Sequence, residues 1–140
     1  MSLFESRAEE IERVETPRVQ ILFYRVGRST LVTRAAGHPE LEHIERLIRR
    51  SEDLIARMGV IDVVHDWFEI TGYSSEIRPR MAPWAKKTSA QHRGIHIGTA
   101  SSLVRMGITM VHLFSGAPVH AYATLSELEK AMTEVLANPP

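Results

Sequence analysis

The sequence has no cysteine. Disulfides, thiolate-bound zinc and a cysteine nucleophile are excluded together. It has no excess of either charge: 17 Lys and Arg stand against 17 Asp and Glu. No global field therefore draws it to nucleic acid or to an anionic membrane surface. No apolar run approaches the ~20 residues that span a bilayer, so no integral membrane segment is expected. The opening "MSLFESRAEEIERVE" is acidic where a secretory signal is apolar. A cytoplasmic protein is the expectation. Aromatic residues make up only 6% of the chain, so the core must be largely aliphatic.

What is present suits one folded domain. The 140 residues are 44% apolar and 24% charged, enough to bury about two-thirds of the unfolded surface. No repeat, low-complexity tract or linker interrupts them.

Leu3, Phe4, Ala8, Ile11 and Val14 recur at helical spacing ahead of Pro17. Residues 1–18 are expected to form an N-terminal helical extension, which offers a surface to the body or to a second copy in a homodimer. "RVQILFYRVGRSTLVTRAAG" holds two β-rich runs around Gly27 and reads as a hairpin. "HPELEHIERLIRRSEDLIARMG" carries Leu41, Ile44, Leu47, Ile48, Leu54, Ile55 and Met58 on one helical face. Pro39 suits its first turn and Gly59 its C-terminal end. "VIDVVHDWFEITG" is dense in β-formers, as expected of a central strand.

The next segment, "YSSEIRPRMAPWAKKTSAQHRG", returns to helical spacing with Ile77, Met81, Trp84 and Ala85 on one side. Pro79 and Pro83 should bend or delay that helix. The short strand "IHIGTA" comes next. A helix follows with Leu103, Met106, Met110, Leu113 and Phe114 expected to face inward. "PVHAYA" is a last strand, and "TLSELEKAMTEVLANPP" a last helix opened by the capping box Thr124-x-x-Glu127. Strand–helix–strand units in succession require crossover connections, hence a mixed, mainly parallel α/β sheet with helices packed on it.

Seven histidines invite a metal reading. Their spacing does not gather three or four ligands, so no metal and no cofactor is expected. His65 beside Asp66, upstream of Ser74 and Ser75, suggests hydrolytic chemistry, but the G-x-S-x-G elbow that would expose a nucleophile is absent. Gly98-Thr99-Ala100-Ser101-Ser102 is read as a helix cap, with anion binding the sharper alternative. The same choice arises at Ser74 and Ser75, one of which is expected to be an N-cap. A methionine and phenylalanine stripe at Met106, Met110 and Phe114 suggests either core filling or the wall of an apolar pocket of roughly a few hundred Å³.

Three stretches together resemble the STAS domains, and in particular the SpoIIAA-like branch of anti-sigma-factor antagonists. They are the hairpin ending in "AAG", the joint "VIDVVHDWFEITGYSSEI" and "TASSLVRMGITMVHLFSGAPVHAYATLSELEKAM". The resemblance covers residues 19–137 as a single domain. It implies a STAS/SpoIIAA-like fold with an N-terminal β-hairpin followed by alternating helices and strands.

It further implies a non-enzymatic bacterial regulatory or protein-interaction module. The partner by analogy is a regulatory kinase or anti-sigma-like protein. The family's phosphoacceptor turn, Asp-Ser-Ser-Gly-Leu, falls on Tyr73-Ser74-Ser75-Glu76-Ile77. That position makes Ser75 the implied phosphoacceptor with Ser74 beside it, and Tyr73, Glu76, Arg78 and Arg80 the implied partner contacts. Tyr73 stands in place of the acid and Glu76 in place of the glycine, and a carboxylate beside the acceptor repels an incoming phosphate. An apolar small-molecule or lipid-binding domain is the alternative function.

Overall fold

Strands lie side by side in the order in which the chain makes them. The computed structural model describes residues 8–140, apart from the side chains at positions 103, 110, 111, 113 and 114. The elements are β1 (Ala8–Glu15), β2 (Val19–Val26), β3 (Thr30–Gly37), α1 (Leu41–Met58), β4 (Ile61–Ile70), α2 (Ile77–Lys87), β5 (His92–Gly98), α3 (Ser102–Ser115), β6 (Val119–Tyr122) and α4 (Leu125–Ala137). The pairings β1–β2 and β2–β3 are antiparallel; β3–β4, β4–β5 and β5–β6 are parallel. The expected mixed α/β sheet with its N-terminal hairpin is observed.

Consecutive crossovers between neighbouring strands, all of one hand, place their helices on one side of the sheet. Accordingly Phe23, Leu31, Val63, Ile95 and Ile97 pack with residues of α1, α2 and α3, including Ile48, Trp84 and Ile108. The opposite face is covered by α4, whose Leu128 and Met132 meet Val26, Val32 and Val64. The alternation Val63 against Val64 is the two-residue period of a strand buried on both sides.

The expectation of an N-terminal helix is corrected. Residues 8–15 form a strand paired with β2 and so belong to the sheet, while residues 1–7 lie outside the described residues. The register shifts between Glu10 and Glu12, which makes Ile11 the extra residue of a β-bulge. Ile11 and Val14, three apart, therefore both pack on the same core cluster. A bulged strand and a helix present the same apolar spacing over so short a stretch. Glu12 fastens the strand to α1, bonded by Arg46 and, at 2.9 Å, by Arg50.

The helix ends depend on small features. Pro39 lies just ahead of α1, not in its first turn, and the Glu40 amide donates to His43 Nδ1 at 2.8 Å. Gly59 ends α1 at φ +81°, as its position in the sequence suggested. In α2, Pro79 occupies the first turn, where an amide has no intrahelical acceptor; Pro83 alone sits in the helix interior. Thr124 caps α4 by accepting from the Glu127 amide at 3.2 Å.

One ion pair joins a buried carboxylate to a partly exposed arginine at the edge of α4. Asp62 of β4 is 1% exposed and meets Arg93 of β5 at 2.7 and 3.1 Å. Arg93 also donates to the Val135 carbonyl at 3.3 Å, which ties α4 to the strands.

Candidate functional site

The joint after β4 is pinned by its backbone. The Thr71 amide donates to the Gly37 carbonyl at 2.8 Å and the Ser74 amide to the Pro39 carbonyl at 3.0 Å. Gly37 itself adopts φ +90°, and a Cβ there would lie 2.0 Å from the Arg18 carbonyl oxygen, so no other residue fits this corner. These bonds hold residues 71–76 at the carboxyl ends of β3 and β4, the edge at which open α/β sheets collect ligands.

Arg78, in the first turn of α2, donates from Nε to the Tyr73 hydroxyl at 2.6 Å and stands 5.6 Å from the centre of its ring. Its guanidinium lies against Gly107 of α3, where a Cβ would come within 2.6 Å of Nη2. Glycine at that position makes room for the arginine. The outcome is an open groove bordered by His38, Ile70, Tyr73, Ser75, Arg78 and Ser101. Ser75 is exposed, and its hydroxyl makes no hydrogen bond to another described residue.

Neither serine is the cap expected from sequence. Glu76, with helical φ −74° and ψ −16°, precedes α2 and makes no side-chain cap bond. Ser74 accepts from the Glu76 amide at 3.4 Å and shapes the turn. The turn itself supplies the entry geometry: the Ile77 amide bonds the Ser74 carbonyl at 3.1 Å, so no hydroxyl is required at the helix start.

Behind the groove, between the sheet and α1, α2 and α3, lies an interior cavity of about 130 Å³. Both tryptophans of the chain line it. Thr33 accepts from Trp67 Nε1 at 3.0 Å and lies 2.6 Å from His65 Nδ1, while the His65 and Trp67 rings stack at 4.3 Å. Across the cavity Trp84 meets His92 edge-on at 5.4 Å. His92 Nδ1 is 2.9 Å from the Thr88 carbonyl oxygen. Ile70, Tyr73, Arg78 and Val104 border groove and cavity alike.

Burial sets the charge of this interior. It pushes the His65 pKa down to about 3, with His92 and His96 acting in the same direction. Burial also lowers His92 and His96 themselves. His65 and His92 of the cavity wall are therefore neutral at ordinary pH, and the Arg78 guanidinium at its border brings a positive charge.

The other sequence candidates separate. Arg80 points away from the groove to Glu45 of α1, at 2.5 Å. Met106 was expected to face inward and is instead 57% exposed. The crossing at Gly107 turns Val104, Gly107 and Ile108 toward the cavity, and a helical period then carries position 106 outward. The side chains of Met110 and Phe114 lie outside the described residues.

His65 and Asp66 are sequence neighbours on a strand and so face opposite sides. His65 turns to Thr33 and Asp66 to Arg34 at 3.4 Å, which dissolves the hydrolytic pair. Ser101 caps α3, accepting from the Val104 amide at 3.2 Å. Among the described residues no three His, Asp or Glu converge on a metal position. Sequence reading missed Thr33, Trp67 and His92 as cavity wall. The signal was a polar residue recurring on the inward parity of buried strands, Thr33 on β3 and His65 on β4.

No family model matches the sequence, and no curated protein does. Solved structures match the fold. An uncharacterised DUF3478-family protein from Shewanella loihica, described as having a SpoIIAA-like fold, aligns at TM-score 0.61 and 14% identity over 86% of this chain and 98% of its own. An anti-sigma factor antagonist from Mycobacterium paratuberculosis aligns at 0.56 and 16%, over 86% and 99%. SpoIIAA in its unphosphorylated form aligns at 0.53 and 20%, over 86% and 99%. The chain has the SpoIIAA-like fold.

Proposed function

We propose that this protein is a non-enzymatic regulatory module that binds a protein partner through the groove at the carboxyl ends of β3 and β4. One observation carries the reading: the fold gathers Tyr73, Ser75 and Arg78 around a single open groove, with the Ser75 hydroxyl exposed and uncommitted among the described residues. The likeness to two anti-sigma factor antagonists supports it. A phosphate on Ser75 would add nearly two negative charges beside Arg78 and oppose Glu76, changing the field a partner meets.

Because Ser75 caps nothing, Ser75→Ala and Ser75→Asp are expected to keep the melting temperature within about 2 °C of wild type. The two should differ several-fold in the partner that each retains in quantitative pull-downs from the native cell. Equal recovery of every protein by both baits would end the phospho-switch reading.

The interior cavity supports a second reading, uptake of an apolar small molecule. At about 130 Å³ it is smaller than the pocket expected from sequence, and it suits a single ring more than an acyl chain. Saturating benzene should raise the melting temperature if the cavity binds it. No shift would count against this reading.

A further inference from the structure

We propose that the interior cavity and the groove together hold a small amphipathic carboxylic acid, its ring or short chain in the cavity and its carboxylate on Arg78. The inference rests on the second reading above and names its ligand class. Ile70, Tyr73, Arg78 and Val104 border both spaces, so the cavity ends where the groove begins. On the inner side the wall is largely apolar, with Phe23, Trp84, Ile95, Ile97 and Ile108. Its Thr33, His65 and Trp67 are bonded to one another. The interior therefore selects by shape, and the permanent charge stands at its border.

Arg78 carries that charge without a counter-ion. Its Nε donates to the Tyr73 hydroxyl at 2.6 Å, and among the described residues neither Nη has a hydrogen-bond or ion-pair partner. Arg80, two positions on, differs in taking Glu45. No carboxylate lines the cavity or the groove among the described residues; Glu76 lies in the turn and borders neither.

A guanidinium with both Nη groups open matches a carboxylate in a forked pair. Ser75 and Ser101 border the groove and keep hydroxyl protons to donate beside it. An ammonium would be repelled there, and a neutral ring would leave the guanidinium facing water alone. Arg78 is exposed, so the pair forms at the rim with little desolvation and adds modestly to what burial of the ring supplies. The cavity, about 130 Å³, is close in size to a void known to take up benzene. That limits the apolar part to one ring or a short chain.

Calorimetric titration of the full chain with phenylacetate, phenylacetamide, acetate and benzene tests the proposal. At low salt, wild type is expected to bind phenylacetate about fivefold tighter than phenylacetamide, and high salt should shrink that preference. Arg78→Gln is expected to bring the two within about twofold of each other, and Arg78→Lys to restore part of the preference. Acetate, which lacks the ring, is expected to bind about tenfold or more weaker than phenylacetate.

Equal binding of phenylacetate and phenylacetamide by wild type would overturn the carboxylate seat, as would a preference that survives in Arg78→Gln. Benzene binding alongside either result would leave the apolar cavity reading standing. Acetate bound as tightly as phenylacetate would overturn the part assigned to the cavity. If none of the four compounds binds, both readings fall.

Discussion

Acidification from pH 7 to pH 4 is expected to destabilise the fold by about 3 kcal/mol through His65 alone. The ring is 3% exposed, and burial holds its pKa near 3 against an ordinary value of 6.5. In the folded state it stays neutral while the unfolded chain takes up a proton below 6.5. The unfolded state then binds more protons, so stability falls as pH falls. Each unit between about 6.5 and 3 costs close to tenfold in the folding equilibrium.

His92 and His96 are depressed by burial as well and carry the same sign. Glu45 titrates from 4.5 downward, held low by its bond to Arg80, so the window from pH 6.5 to 4.5 belongs to the histidines. Urea unfolding of wild type and His65→Gln across pH 4–7 checks this. The stability gap between them should close, or reverse in favour of the variant, by about 3 kcal/mol on going to pH 4. Parallel pH curves would refute the assignment to His65.

Arg93→Met is expected to cost about 3 kcal/mol. Methionine keeps most of the apolar stem but leaves the Asp62 carboxylate, 1% exposed, without its cation. The substitution also removes the donor to the Val135 carbonyl, so α4 loses an anchor to the sheet. Adding Asp62→Asn should restore part of the loss, because an amide is far cheaper to bury than an unpaired carboxylate. Chemical denaturation of the two single variants and the double variant measures the coupling. A loss for Arg93→Met below about 0.5 kcal/mol would mean that the pair contributes no more than an exposed one.

These predictions concern residues that periodicity cannot rank. On strand β4 the run Val63, Val64, His65, Asp66 reads as one apolar stretch with a polar pair at its end. The structure divides it by parity: His65 goes into the interior with Thr33, and Asp66 to the other face with Arg34. The helix α1, by contrast, was legible apart from its ends, where Pro39 lies ahead of the first turn and Met58 is exposed. An 18-residue apolar stripe has no other stable arrangement, and Gly59 marks its end. The joint at Tyr73–Arg78 was legible as a place, because it follows the central strand, but not as a geometry. Whether Ser75 caps, hides or stands free depends on backbone bonds to Gly37 and Pro39, which are more than thirty positions away.

By itself the sequence determined the order of elements from β2 onward, the hairpin, the crossover helices and hence the mixed sheet, since each follows from spacing within a window of a few turns. Only the tertiary structure decided that residues 8–15 are a bulged strand, that Met106 faces out, and that Trp84 and His92 share a cavity wall. The physical reason is range. Propensity and periodicity act between neighbours along the chain, whereas the bulge register, the α3 crossing at Gly107 and the cavity are set by contacts between segments that meet only after folding.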